Sequence, residues 1–216
     1  MKRVIACAGL LGLLACSDAD GQTQEYAQSQ NHAQTQTSEQ IDNRGIKSTQ
    51  SVTSWAVDKA KSNLSFSGSQ NGEAFAGGFS GFDADINFDP DNLSASKVVV
   101  TIDMNTADAG DAERTNALPG KEWFYVRKFP VAEFTATEFR HLSDDNYEAK
   151  GHLTIRDITQ GIVLPFTLKI ENDQANVDAI LTINRSDYKI GTGMWASEEW
   201  VGKNVSIKIH LTAHEK

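Results

Sequence analysis

From Trp55 onward the chain alternates apolar and polar residues with a period of two, segment after segment. "KVVVTIDM" carries Val98, Val100, Ile102 and Met104 on one parity, and "ANVDAILTI" carries Ala175, Val177, Ala179, Leu181 and Ile183. "GIVLPFTLKI" and "VSIKIHLTA" repeat the pattern through Leu164 and Ile207. Such a period belongs to half-buried strands, because successive side chains point to opposite faces of a sheet. The turn-forming stretches "FDPDN", "HLSDDN" and "ENDQ" separate the runs. About eight strands, each with one apolar face and mostly short connections, predict an all-β fold: an extended antiparallel barrel or a sandwich. A closed barrel leaves no exposed edge. At eight strands its interior is either filled by side chains or holds one small ligand, and the alternation is the same in both cases.

Two segments depart from this rhythm. In "AFAGGFSGFDADINF", Phe75 and Phe79 have one parity, and Phe82, Ile86 and Phe88 the other. The switch falls among Gly77, Gly78 and Gly81, where a bulge or bend would curl the sheet. Residues 108–128 are too long for a hairpin loop, and "DAERTNALPGKEWF" reads as a short helical insertion with Asp111 as N-cap and a break at Pro119-Gly120.

The N-terminal part is organised differently. Lys2 and Arg3 precede a short apolar run, Val4 to Leu14, too short to span a bilayer. Residues 1–15 read as an export signal. "LLAC", ending at Cys16, resembles a bacterial lipobox, and that resemblance implies a lipidated Cys16 at the mature N-terminus. Two or more acyl chains hold a protein stably, at about 0.8 kcal/mol per buried CH₂. Residues 16–53 are rich in Gln, Ser and Thr and poor in large apolar residues, the composition of a disordered tether. The expected location is the periplasmic side of the envelope. Ser17 and Asp18 after the cysteine favour the outer membrane by the enterobacterial sorting pattern. Loss of Lys2 and Arg3 takes the net charge from −9 to −11, which argues against nucleic acid as a partner. The only cysteines are Cys7 and Cys16, so the barrel has no disulfide and no thiolate chemistry.

An inventory of reactive groups is short. There is no Gly-x-Ser-x-Gly elbow, no His-Glu-x-x-His and no phosphate loop. His210 and His214 on one strand stand about 13 Å apart, too far for a single ion. Asp83, Asp85, Asp89 and Asp91 lack the glycine and terminal glutamate of a calcium loop. No catalytic set, metal site or cofactor is expected.

Several landmarks occur together: "WAVDKAKSNLSFSGS", "GGFSGFDADINFDPDN", "KEWFYVRKFPVAEFTAT", "GHLTIRDITQGIVLPFTL" and "NRSDYKIGTGMW". In this order they resemble the YceI-like family, lipocalin-like proteins of the bacterial envelope linked to polyisoprenoid binding. The resemblance spans roughly residues 54–214. It implies an extended barrel whose lumen holds an isoprenoid or quinone-like lipid, with no catalysis. The alternatives are a structural or interaction lipoprotein with a packed barrel, and an enzyme acting on a lipid. The pattern leaves open whether the protein forms a homodimer.

Candidate residues for an apolar lumen or portal fall in two groups. Phe66, Phe79, Phe82, Ile86, Phe134, Leu153, Leu164 and Leu181 have inward parity, shared by lumen and ordinary core. Trp123, Phe124, Phe129, Met194 and Trp195 lie in connections, where they either cap a barrel end or line a portal. In "INRSDYKIGTGMW", Arg185 and Asp187 share a face if the strand continues, at about 7 Å. They are expected to form a structural clasp at the rim, with Met194 and Trp195 as a flap behind it.

Overall fold

The computed structural model describes residues 52–216. The predicted signal at residues 1–15, Cys16 and nearly all of the 16–53 tether lie outside the described residues. The elements are β1 (Ser54–Val57), β2 (Asn63–Gln70), β3 (Glu73–Phe79), β4 (Phe82–Asn87), β5 (Lys97–Asp103), β6 (Ala107–Asp108), α1 (Ala112–Ala117), β7 (Val131–Ser143), β8 (Asn146–Ile155), β9 (Ile158–Glu171), β10 (Gln174–Asn184) and β11 (Asn204–Glu215).

All strand pairs are antiparallel, in the order β1-β4-β5-β7-β8-β9-β10-β11, and β11 pairs with β1 to close the ring. The predicted eight-stranded antiparallel barrel is therefore the fold. β11 has two partners on its closing side. Ser206 to His210 face β2, and Ala213 to Glu215 face β1. β1 and β2 thus act as one strand interrupted by a turn at 58–62. β3 and β4 likewise form one strand broken at Ser80-Gly81, where the parity switch was expected. There the Gly81 N–H donates to Thr106 Oγ1 at 2.9 Å. β2 and β3 carry the same wall on past the break, and β6 pairs with the end of β3.

Turn chemistry follows the sequence. The 172–173 turn joins β9 to β10 with Asn172 and Asp173 both at positive φ, 49° and 61°, as a two-residue hairpin of type I′ requires. The Asp111 side chain caps α1 by accepting the Arg114 N–H at 2.9 Å. The insertion holds this one six-residue helix, and turns carry the chain on to β7.

Buried side chains gather at the two ends of the barrel. At the α1 end, Met104, Leu118, Phe124, Ile183, Tyr188 and Ile190 form one cluster. At the opposite end Trp55, Ile86, Phe88, Leu168, Ala175 and Ala213 form another. Phe88 is the hub of the second. Its ring lies 5.2 Å from Phe139, 6.0 Å from Tyr147 and 6.2 Å from Phe166. The Trp55 indole donates to the Phe88 carbonyl at 2.8 Å.

Gly151 of β8 lies beside the β7 bulge between Ala136 and Glu138. A Cβ there would strike the Thr135 carbonyl and come within 2.9 Å of Ala136 Cα. Gly161 of β9 is the opposite case: a methyl group added there would have nothing within 4 Å. Gly151→Ala is expected to cost about 1–3 kcal/mol by overpacking, and Gly161→Ala less than about 0.5 kcal/mol. Urea unfolding of the two variants side by side checks the contrast.

Candidate functional site

The inward faces of the barrel strands enclose a cavity of about 190 Å³. Its wall is hydrocarbon. Among the lining residues only Asn63 and His210 are polar, and the His210 ring is turned to Asp178, with Nδ1 2.8 Å from Oδ1. The lining follows β10 from Ala175 to Leu181, about 20 Å of strand. Drug-sized pockets run to about 300–1,000 Å³. A smaller volume drawn out over this length is long and narrow.

Alternation explains who lines it. Val98, Val100 and Ile102 of β5 share a parity, as do Ile207, Ile209 and Leu211 of β11. Of the candidates read from the sequence, Phe82, Ile86, Phe134, Leu153, Leu164 and Leu181 lie in this wall. Phe66, Phe79 and Phe124 do not. They stack below the lumen at the α1 end, with Phe66–Phe79 at 5.4 Å and Phe79–Phe124 at 6.0 Å. Trp123 packs on Trp195 at 5.9 Å. Phe129 lies against Tyr125 at 6.0 Å, with the Arg156 guanidinium 5.6 Å from its ring. Met194 is 71% exposed. None of these four connection residues reaches the lumen wall, and neither does Phe124.

The wall also contains residues that the sequence pattern does not single out. Phe139 is one. Counted from Phe134 and Ala136 it has the outward parity, but the bulge between Ala136 and Glu138 inserts a residue and turns it inward. Trp55, Phe88 and Phe166 are visible in the sequence as alternating apolar positions. Their place at one end of the lumen depends on ring closure.

The rim at the α1 end departs from expectation. Residues 185–188 form a 3₁₀ turn rather than a strand, so Arg185 and Asp187 do not share a strand face. Asp187 is exposed and does not pair with Arg185. Arg185 by itself is the clasp. It is 2% exposed, and all five of its guanidinium N–H groups have backbone acceptors. Nε donates to Gly202 O at 3.0 Å. Nη1 donates to Ile190 O at 2.8 Å and Gly191 O at 2.9 Å. Nη2 donates to Trp195 O and Val201 O, each at 2.7 Å. One planar fork thus gathers the chain from 190 to 202 over the barrel end. Burial pulls the guanidinium pKa down, while Glu198 opposes it. Gly191, at φ 72°, is required here, because a Cβ would collide with Nη1.

Beside the clasp Tyr188 is 1% exposed, and its hydroxyl has no hydrogen-bond partner among the described residues. Burial first, and Asp187 second, push its pKa up to about 12.

Comparison with known proteins agrees with this architecture. Residues 55–213 match the YceI-like domain family. A UPF0312 protein of Pectobacterium atrosepticum is 34% identical over 138 residues, 61% of this chain and 71% of that protein. BcnA of Burkholderia cenocepacia superposes with a TM-score of 0.70 at 31% identity, covering 73% of this chain and 99% of that one. The YceI protein of Campylobacter jejuni gives 0.59 at 25% identity, over 65% and 84%. A polyisoprenoid-binding domain from Saccharophagus degradans gives 0.62 at 15% identity, over 76% and 99%.

Arg185→Ala strands carbonyls that charged hydrogen bonds now satisfy, and is expected to cost about 3–5 kcal/mol. Arg185→Lys recovers little, since an ammonium cannot match the fork. Denaturant titration of both variants checks this. For Tyr188, the unfolded phenol ionises near pH 10.0 and the folded one near 12. Its contribution is complete below pH 10 and is lost as pH rises from 10 towards 12, by roughly 2–3 kcal/mol. Tyr188→Phe is expected to flatten that part of the stability–pH curve, measured by urea midpoints from pH 8 to 12.

Proposed function

The chain belongs to the YceI-like family, and from that family and its hydrocarbon-walled lumen we propose that it is a non-catalytic carrier or store for a long-chain lipid of the isoprenoid type, polyprenyl or quinone-like. The observation that carries the reading is the wall itself: a narrow cavity of about 190 Å³ whose only polar lining residues are Asn63 and His210. A packed barrel offers no such space.

A hydrocarbon chain needs no hydrogen bonds to bind here. Burying about 300 Å² of its surface at 25 cal/mol per Å² contributes roughly 7–8 kcal/mol before the costs of association. The narrow bore favours a single extended chain over a polycyclic ligand. Apart from His210, whose ring is turned to Asp178, the wall offers no nucleophile and no acid–base group, which supports binding over turnover. The polyisoprenoid-binding neighbour from Saccharophagus degradans supports the choice of chain chemistry. Cys16 would carry the membrane anchor, and the 16–53 tether would let the barrel reach lipid on the periplasmic side.

Native mass spectrometry of the full chain, made in a Gram-negative host, reads both parts of the proposal. A non-covalent lipid of isoprenoid mass and a diacyl or triacyl increment on Cys16 are expected. Leu181→Trp, which fills the lumen from a half-buried wall position, is expected to lower uptake of a fluorescent isoprenoid at least tenfold while the barrel still melts cooperatively. Uptake unchanged by Leu181→Trp would remove the lumen as the binding site.

A further inference from the structure

Two places in the barrel wall lack continuous strand pairing. The first is where β1 gives way to β2 beside β4. The turn at 58–62 covers it: the Asp58 N–H donates to Thr212 O at 2.8 Å, the Thr212 N–H donates to Ser62 Oγ at 3.0 Å, and Lys59 pairs with Asp83 at 3.5 Å. The second lies between β9 and β10 and, among the described residues, has no such cover. β9 pairs with β8 from Ile158 to Thr167, and β10 pairs with β11 along its whole length. With each other they pair only from Glu171↔Gln174 to Phe166↔Ala179. Among the described residues, 158–165 of β9 and 180–184 of β10 then have no strand partner on the facing side. Eight residues of β9 span about 26 Å.

The sequence holds this slit open. The Leu168 N–H points to the β8 side, where Asp145 O accepts it at 2.9 Å. Amides alternate sides along a strand, so position 165 faces β10. That position is Pro165, which has no N–H. In continued register it would stand opposite Ile180 and supply the next bond of the ladder. A proline inside a strand is tolerated where pairing on that side ends. Gly161, further along the same edge, has open space around it.

The slit has defined ends and an apolar rim. The Phe166–Ala179 pairing closes one end. At the other, Arg156 Nη1 donates to Lys189 O, and Gln160 Nε2 reaches Asp187 O at 3.5 Å. Leu164 and Leu181, one from each diverging strand, line the lumen just inside. On the outer surface Val163 is 50% exposed and Ile180 60%. Unpaired edges are commonly blunted by charge, yet these two flanking positions are hydrocarbon. The covered gap beside β4, by contrast, is rimmed by Asp58, Lys59 and Asp83.

We propose that the β9–β10 slit is the portal through which the hydrocarbon chain exchanges, leaving the lumen sideways along its length instead of threading past an end. This inference rests on the lipid-binding reading above. It gives Pro165 a role: it keeps the last stretch of the barrel unzipped. A sideways exit spares a long chain the passage through the end where Ile170 lines the cavity beside the Phe88 cluster.

The test uses the full-length protein and nitrobenzoxadiazole-labelled geranylgeraniol as probe. Val163→Cys with Thr182→Cys, bridged by a short bismaleimide, pins the slit shut from outside. Glu171→Cys with Gln174→Cys places the same bridge on directly paired positions and serves as control. Bridging the first pair is expected to slow both loading and release at least tenfold, with no change from the control bridge. Pro165→Val restores the missing N–H and is expected to slow release several-fold without a cross-link. If bridged and unbridged protein exchange the probe at the same rate, the chain passes through the end near Ile170 and the portal is overturned while lipid binding stands. If the unmodified protein takes up no probe, the lipid-binding reading fails and the portal with it.

Discussion

Everything in this barrel depends on β11 holding two partners on one side. One flank pairs with β10 from Asn204 to Asn184 and on to His214 and Gln174. The other serves β2 and then β1, and this second pairing turns an open sheet into a ring. The change of partner falls at Thr212, which is 2% exposed. Its backbone would be orphaned there. Instead its carbonyl accepts the Asp58 N–H at 2.8 Å, its N–H reaches Ser62 Oγ at 3.0 Å, and its hydroxyl reaches Asn176 at 3.1 Å. Buried backbone groups must be paired somewhere. Closure is possible because the 58–62 turn supplies partners where the ladder cannot.

A hollow ring has an energetic cost. At about 24 cal/mol per Å³, a cavity of 190 Å³ corresponds to roughly 4–5 kcal/mol of forgone packing. The ends offset it by different means. The Phe88 cluster uses aromatic edge contacts over a continuous apolar surface. The α1 end is a loop problem, because the chain from 190 to 202 has few ladder bonds, and Arg185 answers it with a single cation shared among five carbonyls. Family membership and an apolar bore therefore rest on a scaffold whose stiffness sits at its ends. The middle of the wall, near Leu164 and Leu181, is left free for a ligand.

Much of this is legible in the chain. Period-two alternation identifies most of the strands, the parity change near Gly81 marks the bent one, and Asp111 announces α1. Phe82, Ile86, Phe134, Leu153, Leu164 and Leu181 follow from parity and stand in the lumen wall. Phe66 and Phe79 satisfy the same parity yet lie in the floor, because alternation says which face a residue takes and not how far along the barrel it sits. Phe139 escapes a parity count because the residue inserted between Ala136 and Glu138 in β7 reverses parity from there to His141. Arg185 does stand at the rim, but pairing it with Asp187 assumes a strand that ends one residue earlier.

By itself, the sequence determined the strand pattern, the absence of disulfides from the barrel, the turn positions and the family, since these follow from local residue chemistry and the order of motifs. Tertiary structure alone decided which inward residues meet around empty space, which carbonyls surround Arg185, and that Pro165 faces β10. Those outcomes depend on register and ring closure, which join residues such as Trp55 and Glu215 that are distant in the chain. No local pattern encodes a distance of that kind.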